Sequence, residues 1–391
     1  MRARDVVPGL QSVGVVDWDR RLFDSLIPLP EGTSYNAYLL RSGEATVLFD
    51  TVDPAMTGTL LENLAGVDRL DYVVIQHAEQ DHSGSLPAVL ARHPEAQVLC
   101  GPKAVDLIVE HLHVDANKLR VVADDEELRV GDKTLRFLHT PWVHWPETIC
   151  TYVVEDRVLL SCDFLGSHLA TSEVFAVDAE VLPAAKRYYA EILMPFHTVV
   201  SRNLARVETL EPAIIAPSHG PVYGRPALIL DAYHDWVDGP PHNVAVIPYV
   251  TMHGSTRILV DRLTAALAQE GVRVERFDLV DVDLGRLATA LVDAATIVAA
   301  TPTVLTGPHP AMVSALYLAN ALRPKAKFVS LLGSYGWATK VADVAQSLIS
   351  GLRAELVDPV LVKGAPREED LQRVDALAKA IAAKHAEAGL A

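Results

Sequence analysis

The sequence is short of cysteine, of aromatic residues and of positive charge. Its 391 residues include only three cysteines, Cys100, Cys150 and Cys162. They form no C-x-x-C pair, so neither a disulfide framework nor a cysteine-ligated iron or zinc centre is available, and small buried strand residues are expected instead. Aromatic residues make up 6% of the chain, and 34 Lys plus Arg stand against 50 Asp plus Glu, a formal net charge of −16. That balance opposes binding driven by neutralised phosphate backbones, so nucleic acid is not an expected partner. The amino terminus lacks the apolar stretch of a secretion signal, and no run of about 18 uncharged apolar residues occurs. A soluble cytoplasmic protein with no membrane partner is expected.

What is present is apolar material, 50% of the residues, enough for two cores in a chain of this length. Asp238-Gly239-Pro240-Pro241 interrupts any helix or central strand, which sets expected domains of residues 1–242 and 243–391. Residues 243–391 hold 15 basic and 15 acidic side chains, leaving 19 and 35 for residues 1–242. The whole net charge therefore falls in the first domain. The second domain alternates apolar runs (Asn243 to Val250, Val272 to Leu279, Ala295 to Ala300, Ala326 to Leu332, Leu356 to Val362) with helix-like segments. Five βα units predict an open parallel sheet covered on both faces, with ligands at the carboxyl ends of its strands. The first domain mixes strand-like segments, such as Tyr35 to Leu40 and Thr46 to Asp50, with helices, and reads as a layered α/β arrangement.

Two sets of residues carry chemistry. In the first, the apolar run Asp71 to Ile75 feeds directly into Gln76-His77-Ala78-Glu79-Gln80-Asp81-His82-Ser83-Gly84. Two imidazoles and two carboxylates packed so densely desolvate and repel one another unless a cation offsets the charge. Helix capping by Asp81 explains one residue and leaves His77, Glu79 and His82 without a purpose. Further potential ligands follow other apolar runs: His144 in Pro141-Trp142-Val143-His144-Trp145-Pro146-Glu147-Thr148, Asp163 after Arg157 to Cys162, and His219 in Pro217-Ser218-His219-Gly220. Together they form one joint pattern of a binuclear metal site.

In the second set, the first strand of the second domain ends in Thr251-Met252-His253-Gly254-Ser255-Thr256 before a helix. Hydroxyls, a glycine and free N–H groups at a helix start cradle a phosphate monoester. Thr301-Pro302-Thr303-Val304-Leu305-Thr306-Gly307 and Gly333-Ser334-Tyr335-Gly336-Trp337 follow the third and fourth strands, which brings aromatic faces to the same sheet edge. No G-x-G-x-x-G precedes a helix, which disfavours a dinucleotide.

His77-x-Glu79-x-Asp81-His82, His144, Asp163 and His219 resemble the ligand set of flavodiiron proteins. The resemblance extends to Gly32-Thr33-Ser34-Tyr35-Asn36-Ala37-Tyr38-Leu39, to His144-Trp145-Pro146-Glu147, to Pro217-Ser218-His219-Gly220 and to the order of the two domains. It implies a metallo-β-lactamase-like αββα sandwich followed by a flavodoxin-like doubly wound parallel sheet. It implies one iron on His77, Glu79 and His144, a second on Asp81, His82 and His219, and Asp163 bridging both. Hydrolases of the same fold typically carry a histidine where Glu79 stands, and the extra carboxylate favours a harder, redox-active ion over zinc. The resemblance also implies flavin mononucleotide (FMN), with its phosphate at Thr251 to Thr256 and its ring near Pro302, Thr303, Gly307 and Ser334 to Trp337.

The implied activity is reduction of dioxygen to water, of nitric oxide to nitrous oxide, or both. The implied assembly is a head-to-tail homodimer or a dimer of dimers. The chain stops soon after its fifth sheet strand, so an external donor is expected, a rubredoxin-like protein or a reduced deazaflavin. Tyr189 and His168 are candidate proton or hydrogen-bond donors beside the ligands. Asp24 stands where several members of the family carry a histidine, and His253 where a tryptophan is frequent. A dinuclear zinc hydrolase and an electron shuttle with a purely structural first domain are the rival expectations.

Overall fold

The computed structural model describes residues 3–391. The chain divides into two compact units between Asp238 and Gly239, a few residues ahead of the boundary expected from the proline pair.

The first unit is built on two sheets. One has seven strands in the order Arg4–Val7, Leu10–Ser12, Tyr38–Ser42, Ala45–Phe49, Tyr72–Ile75, Gln97–Cys100 and Leu119–Val121. The other has five: Glu127–Val130, Lys133–His139, Ile149–Val153, Val158–Cys162 and Ile214–Pro217. Alternation along the strands sorts side chains into two cores. Tyr38, Leu40, Val47, Phe49, Val74 and Leu99 face Leu135, Phe137, Ile149, Val153 and Leu160 between the sheets. Their neighbours Leu39, Leu48, Val73, Ile75 and Val98 pack instead on Leu60, Leu64, Leu86, Val89 and Ile108 of the helical layer. Beyond the second sheet lie the helices Asp178–Tyr188, His197–Glu208 and Ala227–Val237, with Tyr233 edge-on to Phe164. The result is an αββα sandwich. The expected strand Tyr35 to Leu40 is two: Thr33–Tyr35 pairs with Val15–Asp17, and Tyr38–Ser42 enters the seven-stranded sheet. Cys100, Cys150 and Cys162 are free and buried in strands, as the sequence suggested.

The second unit is an open sheet ordered Arg273–Asp278, His242–Tyr249, Ala294–Val304 and Phe328–Tyr335, whose far edge is the pair Glu355–Leu356 and Val360–Lys363. These pairings are all parallel. The fifth strand is broken in two at Asp358-Pro359, within the run expected to form one strand. Helical spacing puts Leu259, Leu263 and Leu267 of Ser255–Gln269, and Val374, Leu377 and Ile381 of Glu368–Glu387, onto Ala245, Ile247, Val298 and Leu332. The chain leaves the first strand on one side of the sheet and returns on the other, so a switch point opens between His242–Tyr249 and Ala294–Val304. No described helix is long and apolar enough to cross a membrane.

Candidate metal centre and flavin loops

The strand Tyr72–Ile75 delivers His77, Glu79, Asp81 and His82 to the end of the sheet, and its neighbours hold the loop in place. Asp50 accepts from the Gln76 N–H at 2.8 Å and from the Gln76 side-chain amide at 2.9 Å. The N–H and hydroxyl of Thr51 both donate to the His82 carbonyl, at 2.6 and 2.7 Å. Glu79 stands at the start of the short helix Gln80–Ser83 and makes no side-chain cap bond, and Asp81 lies inside that helix. Both Asp81 carboxylate oxygens are buried without a hydrogen-bond partner, so capping does not explain Asp81.

From the second sheet come His144, Asp163 and His219. The segment containing Thr33 and Asn36 fixes the last of these. Asn36 donates its side-chain amide to the carbonyls of Pro217 at 2.8 Å and Gly220 at 2.6 Å, and Ser34 Oγ accepts from the Gly220 N–H at 2.8 Å. The two sequence motifs 32–39 and 217–220 are thus one hydrogen-bonded unit.

The seven residues converge on two adjoining sets of donor atoms, His77, Glu79, His144 and Asp163 in one and Asp81, His82 and His219 in the other. Glu79 Oε2 lies 3.0 Å from His77 Nε2 and 3.2 Å from His144 Nε2. Asp81 places Oδ1 3.3 Å from His82 Nε2 and Oδ2 3.2 Å from His219 Nε2. Asp163 spans the sets: its Oδ2 is 3.5 Å from His77 Nε2 and 3.3 Å from His144 Nε2, while its Oδ1 is 3.2 Å from His82 Nε2 and 3.4 Å from His219 Nε2. Ligand bonds of about 2.1 Å in tetrahedral or octahedral geometry put donor atoms roughly 3.0–3.4 Å apart, which these separations match.

Both oxygens of Asp163, like those of Asp81, are buried with no hydrogen-bond partner. Four such oxygens demand a positive charge, because an unpaired buried carboxylate costs several kcal/mol, on the order of the desolvation penalty itself. The electrostatics agree. Burial opposes the imidazolium of His144, yet Asp163 and Glu79 outweigh it and push the ring up to about 10. Burial likewise disfavours charge on Glu79 and Asp163, but the facing imidazoles hold both carboxyls well below their usual range. Carboxylates able to draw protons onto buried imidazoles are equally suited to a divalent or trivalent ion.

Around the donors, Trp145 sets its ring edge-on to His77, centroids 5.0 Å apart. His168 lies against His219 with centroids at 4.9 Å, and its Nδ1 hydrogen-bonds Thr33 Oγ1 at 2.8 Å. Burial first, and the facing His219 second, keep His168 well below the usual histidine range, so it is neutral. Tyr189 requires correction. Its hydroxyl donates to the Trp236 carbonyl at 3.4 Å and its ring packs on Tyr233 and Trp236, away from the donors. Tyr188 is the tyrosine that reaches them, its ring 5.9 Å from His219 and 4.9 Å from His168. Consecutive helical residues point about 100° apart, so one position decides which tyrosine faces the site. Asp24 occupies the turn between Leu22–Phe23 and Ile27–Pro28; burial first, then Glu79 and Asp81, raise its carboxyl above the ordinary value. Sequence reasoning did not single out Asp50, nor Glu147, whose Oε1 accepts from His77 Nδ1 at 2.7 Å. Only the presence of Glu147 in the motif 144–147 marked it.

In the second unit the predicted loops meet at the switch point. Gly254 adopts φ 88°, and no side chain caps the helix Ser255–Gln269 that follows, so its first N–H groups remain free for an anion. Thr256 Oγ1 lies 3.4 Å from Ser334 Oγ, and Pro302 pairs in register with Ser334. Thr303 donates to Thr339 Oγ1 at 3.0 Å, and the strand turns back so that Val304 pairs with Gly307. Trp337 is 82% and Met252 54% exposed, while Thr251 accepts from the Gly254 N–H at 3.1 Å. His253 and Gly336 lie on the same loops, and Tyr335 ends the strand Phe328–Tyr335, its carbonyl accepting from the Gly364 N–H at 2.9 Å. Free helix-start N–H groups, converging hydroxyls and an exposed indole fit a flavin nucleotide.

A sandwich with two adjoining donor sets at its strand ends, followed by a doubly wound sheet with a phosphate cradle, defines a metal-dependent flavoprotein. Residues 33–220 match the family described as "ODP family beta lactamase". The chain is 35% identical over 395 residues to a nitric oxide reductase of Moorella thermoacetica, covering 98% of each. The solved rubredoxin oxygen:oxidoreductase of Desulfovibrio gigas superposes with a TM-score of 0.94 at 29% identity, covering 98% of each chain. The flavodiiron protein of Giardia intestinalis does so with a TM-score of 0.92 at 26% identity, again over 98% of each. The chain belongs to the flavodiiron, or type A flavoprotein, family.

Proposed function

We propose that this chain is an oxidoreductase that reduces dioxygen to water, nitric oxide to nitrous oxide, or both, with electrons entering through FMN. Bound iron would supply reversible binding and one-electron reduction of the diatomic substrate, and FMN would take electrons in pairs and release them singly. His77, Glu79 and His144 would hold one iron, Asp81, His82 and His219 the other. The observation that carries this reading is Asp163, which turns one carboxylate oxygen to each donor set. Glu79 makes the first set rich in oxygen donors, which favours the ferric state and so redox cycling over hydrolysis. Trp145 packs against His77 and adds an apolar group beside the site, which would limit water near a small apolar substrate. Thr251, Ser255 and Thr256 would take the FMN phosphate, and Ser334 to Trp337 would lie along the ring.

A rubredoxin-like protein or a reduced deazaflavin is proposed as the external electron donor, supported by relatives named rubredoxin-oxygen oxidoreductase and coenzyme F420H(2) oxidase, with cytoplasmic location. Assembly head to tail, as a homodimer or a dimer of dimers, would bring the flavin of one chain to the diiron site of another.

The test is metal analysis with Glu79→Ala. Wild type is expected to carry two irons and one FMN per chain and, after anaerobic reduction, to consume dioxygen or nitric oxide while the flavin reoxidises. Glu79→Ala is expected to lose iron and gas consumption and to keep FMN. Zinc in place of iron in native protein, or gas uptake at wild-type rates in the variant, would sink the proposal.

A further inference from the structure

We propose that Glu147 is the positioning residue of the metal position built on His77, and that it makes this position the tighter-binding of the two. The inference rests on the ligand reading above. Glu147 Oε1 accepts two hydrogen bonds, from His77 Nδ1 at 2.7 Å and from the Ala78 N–H at 3.1 Å. One oxygen thus fixes both the ring and the peptide that follows it. With Nδ1 donating, the lone pair of His77 is on Nε2, the atom that faces Glu79 and Asp163. Both side chains of the pair are 0% exposed, so water does not compete for the bond.

The second position is supported differently. His219 Nδ1 donates to the backbone carbonyl of Ser34 at 2.6 Å, a dipole in place of a full charge. Asp50 lies near His82 but makes no hydrogen bond to its ring; its oxygens accept from the Gln76 N–H, the Gln76 side-chain amide and the Ser218 hydroxyl. A carboxylate behind a ligating imidazole increases its basicity, and removing such a partner typically weakens metal affinity about 10- to 100-fold. Glu147 Oε2 is buried with no hydrogen-bond partner, so the carboxylate engages the protein through Oε1 alone, toward His77 and the Ala78 N–H. A cation on the far side of His77 would offset its charge.

The test is anaerobic titration of metal-free protein with cobalt(II), followed by visible absorption. Wild type is expected to take up two equivalents in two resolved steps. Glu147→Gln preserves shape and an acceptor oxygen but removes the charge, and is expected to weaken the tighter step about tenfold or more while leaving the weaker step unchanged. Glu147→Ala should weaken it further, and Glu147→Asp should recover part of the loss. His219→Ala, which lacks a ligand of the other position, should retain the tight step. An unchanged titration for Glu147→Gln, or equal weakening of both steps in a variant whose circular dichroism matches wild type, overturns the inference and leaves the ligand reading standing. Failure of wild type to bind two equivalents overturns both.

Discussion

At Gly220 an added Cβ would lie 2.1 Å from Ser167 Oγ, and the backbone there has φ 81°. Space and conformation both exclude a side chain beside His219. Gly220→Ala is therefore expected to displace the loop that Asn36 holds, destabilise the protein by roughly 1–3 kcal/mol and reduce bound iron. Thermal melting and iron analysis would check this; unchanged values for both would show that the loop is held some other way. The same scale explains the exchange of Tyr189 for Tyr188. The two neighbours are chemically identical, and only the end of the helix Asp178–Tyr188, which passes into the turn Tyr189–Leu193, directs Tyr188 to His168 and His219.

At the scale of elements, the carboxy-terminal helix Glu368–Glu387 is tied to the sheet by a buried histidine. His385 Nε2 meets Thr296 Oγ1 at 2.6 Å and its Nδ1 meets Asn243 Oδ1 at 2.7 Å, while its ring stacks on Phe328. Burial lowers the His385 pKa below its ordinary 6.5. A folded-state value below the unfolded one means the unfolded chain binds the proton more readily. The contribution is fully present above about pH 6.5 and is lost as pH falls through the lower folded value. The melting temperature of wild type should accordingly drop between about pH 7 and pH 5 more steeply than that of His385→Gln. Parallel pH profiles of the two proteins would rule this out. The elements also show where sequence patterns lead and where they stop. Short apolar runs marked strands in both units, and a helix was expected after the loop Thr251 to Thr256, where Ser255–Gln269 lies. The break between Glu355–Leu356 and Val360–Lys363 falls at Asp358-Pro359, inside the run read as one strand, where a proline cannot continue the ladder.

For the whole molecule, charge is divided unevenly. The 35 acidic and 19 basic residues of positions 1–242 carry the entire surplus, and the 15 and 15 of positions 243–391 cancel. The structural division at Asp238 leaves these counts unchanged, since residues 239–242 contain no Asp, Glu, Lys or Arg. An acidic protein donor would be repelled by the first unit and tolerated by the second. Flavin reduction by such a donor is therefore expected to vary less than about threefold between low salt and roughly 0.5 M salt. Stopped-flow measurement decides it, and an increase of tenfold or more with salt would place docking on the acidic unit.

The residues that offer metal donors were legible because each lies in a segment that follows an apolar strand, and strand ends in α/β sheets are where ligands gather. The sequence alone therefore determined the donor types, the order of the two units and the sheet edge at which the loops 251–256, 301–307 and 333–337 meet. It did not determine which oxygen of Asp163 serves which donor set, that Glu147 stands behind His77, or which of two adjacent tyrosines reaches the site. Those depend on side-chain direction and on contacts such as that between His77 and Glu147, 70 positions apart. Local periodicity carries no information about them; only packing one sheet of the sandwich against the other brings them into reach.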